Sequence, residues 1–172
     1  MAKIHIIGGP GSGKTYAAKK LSKILGIESY DLDDVVYDRQ ANGYGRKNPE
    51  HLRNQRLKAI LKKKSWIIEG VYFKWLIPSF KDADYIIILI PGVITRHYRI
   101  TKRFLKRKIG LARTKHENMK EFVQLLKWNH GYDKDDLERL KNFLRKYEDK
   151  IKYYDKADKA IEFILNNPVT KM

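Results

Sequence analysis

The stretch Gly8-Gly9-Pro10-Gly11-Ser12-Gly13-Lys14-Thr15 constrains this chain more than any other. It fits Gly-x-x-x-x-Gly-Lys-[Ser/Thr] and directly follows the apolar run Ile4-His5-Ile6-Ile7. A strand that ends in such a loop and reopens as a helix is a P-loop. The glycines let the backbone close around phosphate oxygens with its N–H groups, and the helix beginning near Gly13 turns its positive dipole end on the same anion. Lys14 then reaches the β- and γ-phosphates of a nucleotide, and the Thr15 hydroxyl ligates Mg²⁺. Gly8, Gly9, Pro10, Gly11, Ser12, Gly13, Lys14 and Thr15 are therefore the candidate nucleotide-binding residues.

The remaining pattern alternates strands and helices. Lys3–Ile7 reads as a strand buried on both faces, and His5 within it as a strand residue with an ordinary hydrogen-bond partner rather than a catalytic base. From Lys14 to Leu25 the residues Ala17, Ala18, Leu21, Ile24 and Leu25 share a helical face, and Gly26 closes the helix. Glu28–Asp34 opens as a short second strand and ends in the carboxylates Asp31, Asp33 and Asp34. Asp33 or Asp34 suits the N-cap of the helix that follows, while Asp31 and Asp33 suit metal–water coordination and proton acceptance beside a phosphate site. Both readings can hold together.

Residues 39–48 have loop chemistry, and a basic helix runs from Glu50 to Lys64 with Asn48 as its cap and Pro49 at its start. Ser65–Gly70 is a strand that ends in Glu69. A carboxylate closing an apolar strand needs partners, either a metal-bound or oriented water or a structural ion pair. The aromatic run Val71–Leu76 suits either stacking on a base or sugar or a packed loop. Asp84–Ile90 is the fourth strand, ended by Pro91.

Beyond it, Val93–Ile109 forms a helix with Arg96, Arg99, Arg103 and Arg107 at spacings of three and four, so all four share roughly one face. Two more helices, Glu117–His130 and Asp133–Tyr147, are separated by Gly131. A short fifth strand at Lys150–Tyr154 and a last helix capped by Asp155 complete the chain.

At 172 residues the chain fits one domain with subdomain-sized insertions. With no cysteine there is neither a disulfide framework nor a zinc-finger spacing. The first strand is too short for a signal peptide, and the longest apolar run, Tyr85–Ile94, falls below the ~18 residues of a membrane helix. The expectation is a cytoplasmic protein without a membrane partner. A formal charge of +17 by itself suits nucleotides, nucleic acid or an anionic membrane surface, and equally plain lysine-rich solubility.

Five strands alternating with helices behind a P-loop give an α/β, doubly wound, three-layer fold. The sequence further resembles the adenylate-kinase-like branch of the P-loop NTPases, through Gly8 to Lys14, through Glu69-Gly70 where nucleoside monophosphate kinases have Asp-Gly, and through the arginine-bearing helix. More specifically it is similar to the DNA topology modulation (FlaR-related) family. Tyr30-Asp31-Leu32-Asp33, Trp66 to Tyr72, Trp75, Pro78-Ser79-Phe80 and Arg99 to Phe104 carry that likeness, together with Lys127-Trp128-Asn129 and Tyr147-Glu148.

The resemblance implies a five-stranded parallel sheet of order 2-3-1-4-5, helices on both faces, a helical lid over about 96–131 and an acceptor-site insertion over about 33–64. It implies ATP with Gly11 to Thr15 on its phosphates, and Asp31 and Asp33 facing an acceptor as the paired Asp residues of shikimate and gluconate kinases do. Adenylate kinases continue Asp-Gly with Phe-Pro-Arg, whose Arg holds the acceptor phosphate. Here Val71-Tyr72-Phe73-Lys74 follows instead, and Ile90 stands where the family often has Asp.

Two functions follow. The first is a small-molecule kinase: ATP and Mg²⁺ on the loop, Asp33 as base, Lys14, Arg99 and Arg103 on the transferring phosphoryl group, and Thr15, Asp31 and Glu69 as Mg²⁺ support. Asp33, Tyr72 and Arg39 would contact the acceptor. The second is an ATP-binding, nucleic-acid-associated protein that modulates DNA topology, its basic stretches being Arg53–Lys64 and Arg96–Lys115.

Overall fold

The computed structural model describes residues 2–38, 46–110 and 118–169. Five strands build one sheet: β1 (Lys3–Gly8), β2 (Ser29–Asp31), β3 (Trp66–Gly70), β4 (Tyr85–Leu89) and β5 (Ile151–Tyr154). Their spatial order is β2-β3-β1-β4-β5, and every pairing is parallel. This is the architecture and strand order expected above.

Period-two alternation divides the strand residues between two cores. Ile4 and Ile6 of β1, Ile67 of β3, and Ile87 and Leu89 of β4 pack on one face, with Ala17, Ala18 and Leu21 of α1 (Lys14–Leu25) and Ile161 and Ile164 near the C-terminus. Ile7, Trp66, Ile68, Ile86 and Ile88 point the other way, into a cluster with Leu57, Phe80, Leu140 and Leu144. Apolar residues on both faces explain why these strands read as unbroken hydrophobic runs.

The second face is covered by α2 (Leu32–Val36), α3 (Glu50–Leu61) and α4 (Ile77–Asp82), and later in the chain by α7 (Asp136–Leu144). Between β4 and α7 come α5 (Val93–Lys108) and α6 (Met119–Gly131); α8 (Ala157–Asn166) ends the described fold. His5 sits in the second core, fully buried, with its ring 4.6 Å from that of Phe80 and its Nδ1 2.9 Å from Ser79 Oγ. Burial lowers its pKa to about 3, so the imidazole is neutral packing.

Several local expectations are corrected. The cap of α2 is Asp31, whose carboxylate accepts from the Asp33 N–H at 2.9 Å, rather than Asp33 or Asp34. Asn48 caps no helix: its side chain is buried and donates to the Val35 carbonyl, and Pro49 holds the N-cap position of α3 without a side-chain bond. That helix ends at Leu61, with Lys62 as its C-cap. Lys156, not Asp155, precedes α8, and Asp155 pairs with Lys159 instead. Gly131 ends α6 rather than separating two helices, and α6 starts from a capping box of Asn118 and Glu121.

The largest correction concerns Arg96. It is fully buried and does not join the other arginines of α5. Its guanidinium donates to both carboxylate oxygens of Asp133 at 2.8 Å, to Asn129 Oδ1 at 2.8 Å and to the Pro91 carbonyl at 3.0 Å. Together with the stacked rings of Phe104 and Phe122, this ties α5 to α6. Asp133→Ala would leave a buried guanidinium without its counter-charge, and the expected loss is on the order of 3 kcal/mol, read as a lower urea midpoint. An unchanged midpoint would show that the pair is dispensable.

Candidate active site

The P-loop spans from the end of β1 to the start of α1. Gly8 closes β1, Gly9 lies against the ring of Tyr132, and Pro10 is buried in the cleft wall. Gly11 has φ +73 and Gly13 φ +99, a left-handed backbone that favours glycine. At Gly11 a side chain would also fail sterically, since a Cβ would lie 2.7 Å from the Arg96 carbonyl oxygen. The Ser12 backbone N–H closes the turn on the Gly9 carbonyl, while its buried hydroxyl has no partner among the described residues. Lys14 Nζ donates back to the Gly9 carbonyl at 3.0 Å.

The N-terminus of α1 has no side-chain cap and no acidic residue in its first turn. Its first N–H groups have no intrahelical partners and point with the helix dipole. With Lys14 beside them, the residues present fit a polyphosphate.

Strand register brings the acids to this loop. In the sheet Asp31 stands opposite Glu69, and Glu69 opposite Ile6, one residue pair before the strands end. Glu69 is only 3 % exposed, and its Oε1 accepts from Thr15 Oγ1 at 2.6 Å. Hydroxyl and carboxylate thus present adjacent oxygens at the loop, a donor set that suits Mg²⁺, which takes few protein ligands besides phosphate oxygens and water. Among the described residues no group of three or more His, Asp or Glu forms a ready-made metal cage. Ile90 supplies no acid, and its N–H pairs with the Tyr154 carbonyl.

Burial pushes the Glu69 carboxyl up to about 7, helped by the nearby charge of Asp31 and opposed by Lys14 and the Thr15 hydrogen bond. Asp31 moves the same way through burial, against the hydrogen bond it accepts from the Asp33 N–H. Lys14 is lowered by desolvation and, less, by Arg103, against the attraction of Glu69, Asp33 and Asp31. These five groups therefore act on one another across a single space.

The Glu69 shift has a measurable consequence. Between pH 4.5 and 7 the folded protein keeps a proton that the unfolded chain has lost, so this residue makes stability fall as pH rises through that window. Glu69→Gln removes the effect. Relative to wild type it should gain stability from pH 4.5 upward, reaching roughly 3 kcal/mol above pH 7. A difference that does not vary with pH would contradict the shifted carboxyl.

Asp33 stands on the first turn of α2, and Tyr72 donates to its Oδ1 at 2.9 Å. Burial, then the Asp33 charge, raises the Tyr72 pKa, so the phenol stays protonated and holds the carboxylate in place. Asp33 and Tyr72 line a cleft of about 1950 Å³ that also takes in Lys14, Glu69, Arg103 and Trp75. Arg99, on its wall, donates to the Gly11 and Ser12 carbonyls at 3.2 and 3.1 Å and so braces the loop from the side of its carbonyls. Arg39 lies outside the described residues, as does the segment 111–117.

Sequence reasoning missed Asp133, Tyr132 and Arg53, none of which belongs to a motif. Tyr132 packs under Gly9, and Arg53 of α3 stacks on Trp75 inside the cleft.

No protein-family model and no curated protein sequence matches the chain. Solved structures do. A shikimate kinase from Acinetobacter baumannii, in complex with shikimate, aligns over 99% of this chain and 96% of its own with a TM-score of 0.55 and 19% identity. The chain carries the shikimate-kinase fold. A second shikimate kinase, from Bacteroides thetaiotaomicron, aligns over 96% and 97% with a TM-score of 0.56 and 17% identity. An uncharacterised protein from Eubacterium ventriosum does so over 96% and 97% with a TM-score of 0.55 and 18% identity. Among the described residues no helix is long and apolar enough to cross a membrane.

Proposed function

We propose that this protein is a P-loop phosphotransferase that moves the γ-phosphoryl group of ATP to a hydroxyl of a small acceptor, in the cytoplasm where ATP is available. The observation that carries the reading is a carboxylate, Asp33, held by Tyr72 in the same cleft as Lys14 and close enough to act on its charge. A base beside a phosphate cradle suits the removal of a hydroxyl proton.

Bound Mg²⁺·ATP supplies the phosphoryl group and neutralises part of its charge. The α1 N-terminus and Lys14 bind and orient the phosphates, with Thr15 and Glu69 on the metal side and Asp31 behind them. Asp33 takes the acceptor proton on a carboxylate oxygen, and Tyr72 keeps that oxygen aimed. Arg103 answers the charge that develops on the phosphoryl group, and Arg99 keeps the loop in shape. In this reading α2 and α3 form the acceptor side, and α5 and α6 form the lid-like side that brings arginines over the phosphates.

The likeness to the DNA topology modulation family rests on the residues quoted above, and the arginines gathered in and behind the cleft lend it no support. Arg96 is buried, Arg99, Arg103 and Arg107 line the cleft, and Arg53 faces the same space. The exposed residues of α5 are mixed, Ile94, Tyr98 and Leu105 standing beside Lys102, Lys106 and Lys108.

The test measures ATP turnover and duplex retention on Arg103→Ala and on Lys63→Ala, whose ammonium pairs with Glu28 on the surface. Arg103→Ala should lower kcat on the order of 10²-fold and leave duplex retention as it was. Equal small losses of duplex affinity in both variants, each reducing the salt slope by about one with turnover intact, would favour a nucleic-acid surface instead.

A further inference from the structure

Gly9 is a glycine for a reason that its own φ does not supply. Unlike Gly11 and Gly13 it has no positive φ, so the left-handed backbone is not what calls for glycine there. The three atoms nearest an added Cβ all belong to the ring of Tyr132, at 3.0 to 3.1 Å. That ring is not free to retreat. Tyr132 is 3 % exposed, the Arg96 guanidinium lies over it at 5.7 Å from the centroid, and Trp128 meets it edge-on at 6.3 Å. The corner between α6 and α7 on which it stands is fixed by the next residue, Asp133, whose two carboxylate oxygens both accept from Arg96. On the other side of the contact, the Gly9 carbonyl accepts from the Ser12 N–H at 3.2 Å and from Lys14 Nζ at 3.0 Å. One peptide therefore anchors both the turn of the loop and the ammonium that reaches the β- and γ-phosphates.

We propose that Tyr132 is a positioning residue for the terminal phosphate: its ring fixes Gly9, Gly9 fixes the turn and Lys14, and the α6–α7 corner thereby sets where the transferring group lies. The word transferring rests on the phosphotransferase reading, whereas the seating of a γ-phosphate does not. Phosphoryl transfer needs donor and acceptor oxygens in line, and a misplacement of ~1 Å costs about 10²-fold in rate, so a shift of a few tenths of an ångström at Gly9 is enough to be measured. The phosphates nearer the α1 N-terminus depend less on this contact, because Arg99 braces the Gly11 and Ser12 carbonyls independently. Loss of the ring should therefore be felt at the γ-phosphate far more than in the binding of a diphosphate.

A double-mutant cycle on Gly9 and Tyr132 tests this. It is read in kcat for ATP consumption, in calorimetric affinity for Mg²⁺·ADP and for the Mg²⁺ complex of the β,γ-imido analogue of ATP, and in the urea midpoint. Tyr132→Leu keeps apolar bulk but opens space over Gly9; it should lower kcat about 10- to 100-fold and imido-analogue affinity about 10-fold, with ADP affinity within about threefold of wild type. Tyr132→Phe, which keeps the ring, should recover most of both losses. Gly9→Ala should lower kcat about 10-fold beside the intact ring and less than about twofold further in the Tyr132→Leu background, where the methyl has room. Gly9 belongs to neither hydrophobic cluster, so Gly9→Ala alone decides the matter if Tyr132→Leu does not fold. Gly9→Ala that leaves kcat and imido-analogue affinity unchanged, or that costs the same with and without the ring, would overturn the inference. So would Tyr132→Leu lowering kcat, ADP affinity and the urea midpoint in parallel, which would make the ring packing only. Should the wild-type protein form no phosphate ester, the phosphotransferase reading falls by itself, and the same coupling is still expected in imido-analogue affinity.

Discussion

Lys14→Ala should abolish measurable ATP binding and turnover, a loss on the order of 10³-fold or more, while the protein stays folded. The side chain is half-buried at the mouth of the cleft, outside both hydrophobic clusters, and its ammonium donates to the Gly9 carbonyl of its own loop. Removing it costs the core nothing and strips the phosphate cradle of the ammonium that stands on the loop itself, in a space that already holds Glu69, Asp33 and Asp31. Without Lys14 those carboxylates would repel a polyphosphate with no offset from the loop itself. The folding midpoint should even rise slightly, because the native state depresses this ammonium. Unchanged nucleotide affinity in a folded variant would remove the P-loop assignment.

Asp33→Asn should leave ATP affinity within a few-fold of wild type and lower acceptor-stimulated turnover by about 10²- to 10⁴-fold. The amide keeps the shape, and its oxygen can still accept from Tyr72, but it has lost the basic oxygen that takes the acceptor proton. Asp33 is not the α2 cap, since Asp31 fills that place, so the change should not unravel the helix. This separation lets the kinetics be read as a loss confined to the transition state. A parallel fall in ATP affinity and turnover would make Asp33 a metal ligand.

What was legible in the sequence was local. The P-loop, the helix after it with its Gly26 end, and the apolar runs of β1, β3 and β4 each declare themselves within a dozen residues. Glu69 was visible as a carboxylate closing an apolar strand, and the parallel register then sets it between Asp31 and the loop. The cap of α2 was expected at Asp33 or Asp34 and falls on Asp31, because Asp suits each of these positions equally and residue type cannot rank them.

Other misses were contacts between distant segments. Arg96 shares its helical spacing with Arg99, Arg103 and Arg107, and nothing in that spacing reveals Asp133 and Asn129, more than thirty residues away, as its partners. Arg53 looked like part of a basic helix face because its companion, Trp75, lies beyond β3 in the segment before α4. Helical periodicity places a residue on a face; packing decides what that face meets.

The most direct test of the account follows the phosphorus itself. Purified protein with Mg²⁺·ATP and hydroxylated small molecules, anionic and neutral, is observed by ³¹P NMR, with Asp33→Asn as the matched control. The account predicts ADP and a new phosphate ester appearing in equal amounts with one class of acceptor, and neither with Asp33→Asn. ADP released with inorganic phosphate alone, at a rate no acceptor alters and Asp33→Asn leaves unchanged, would contradict it.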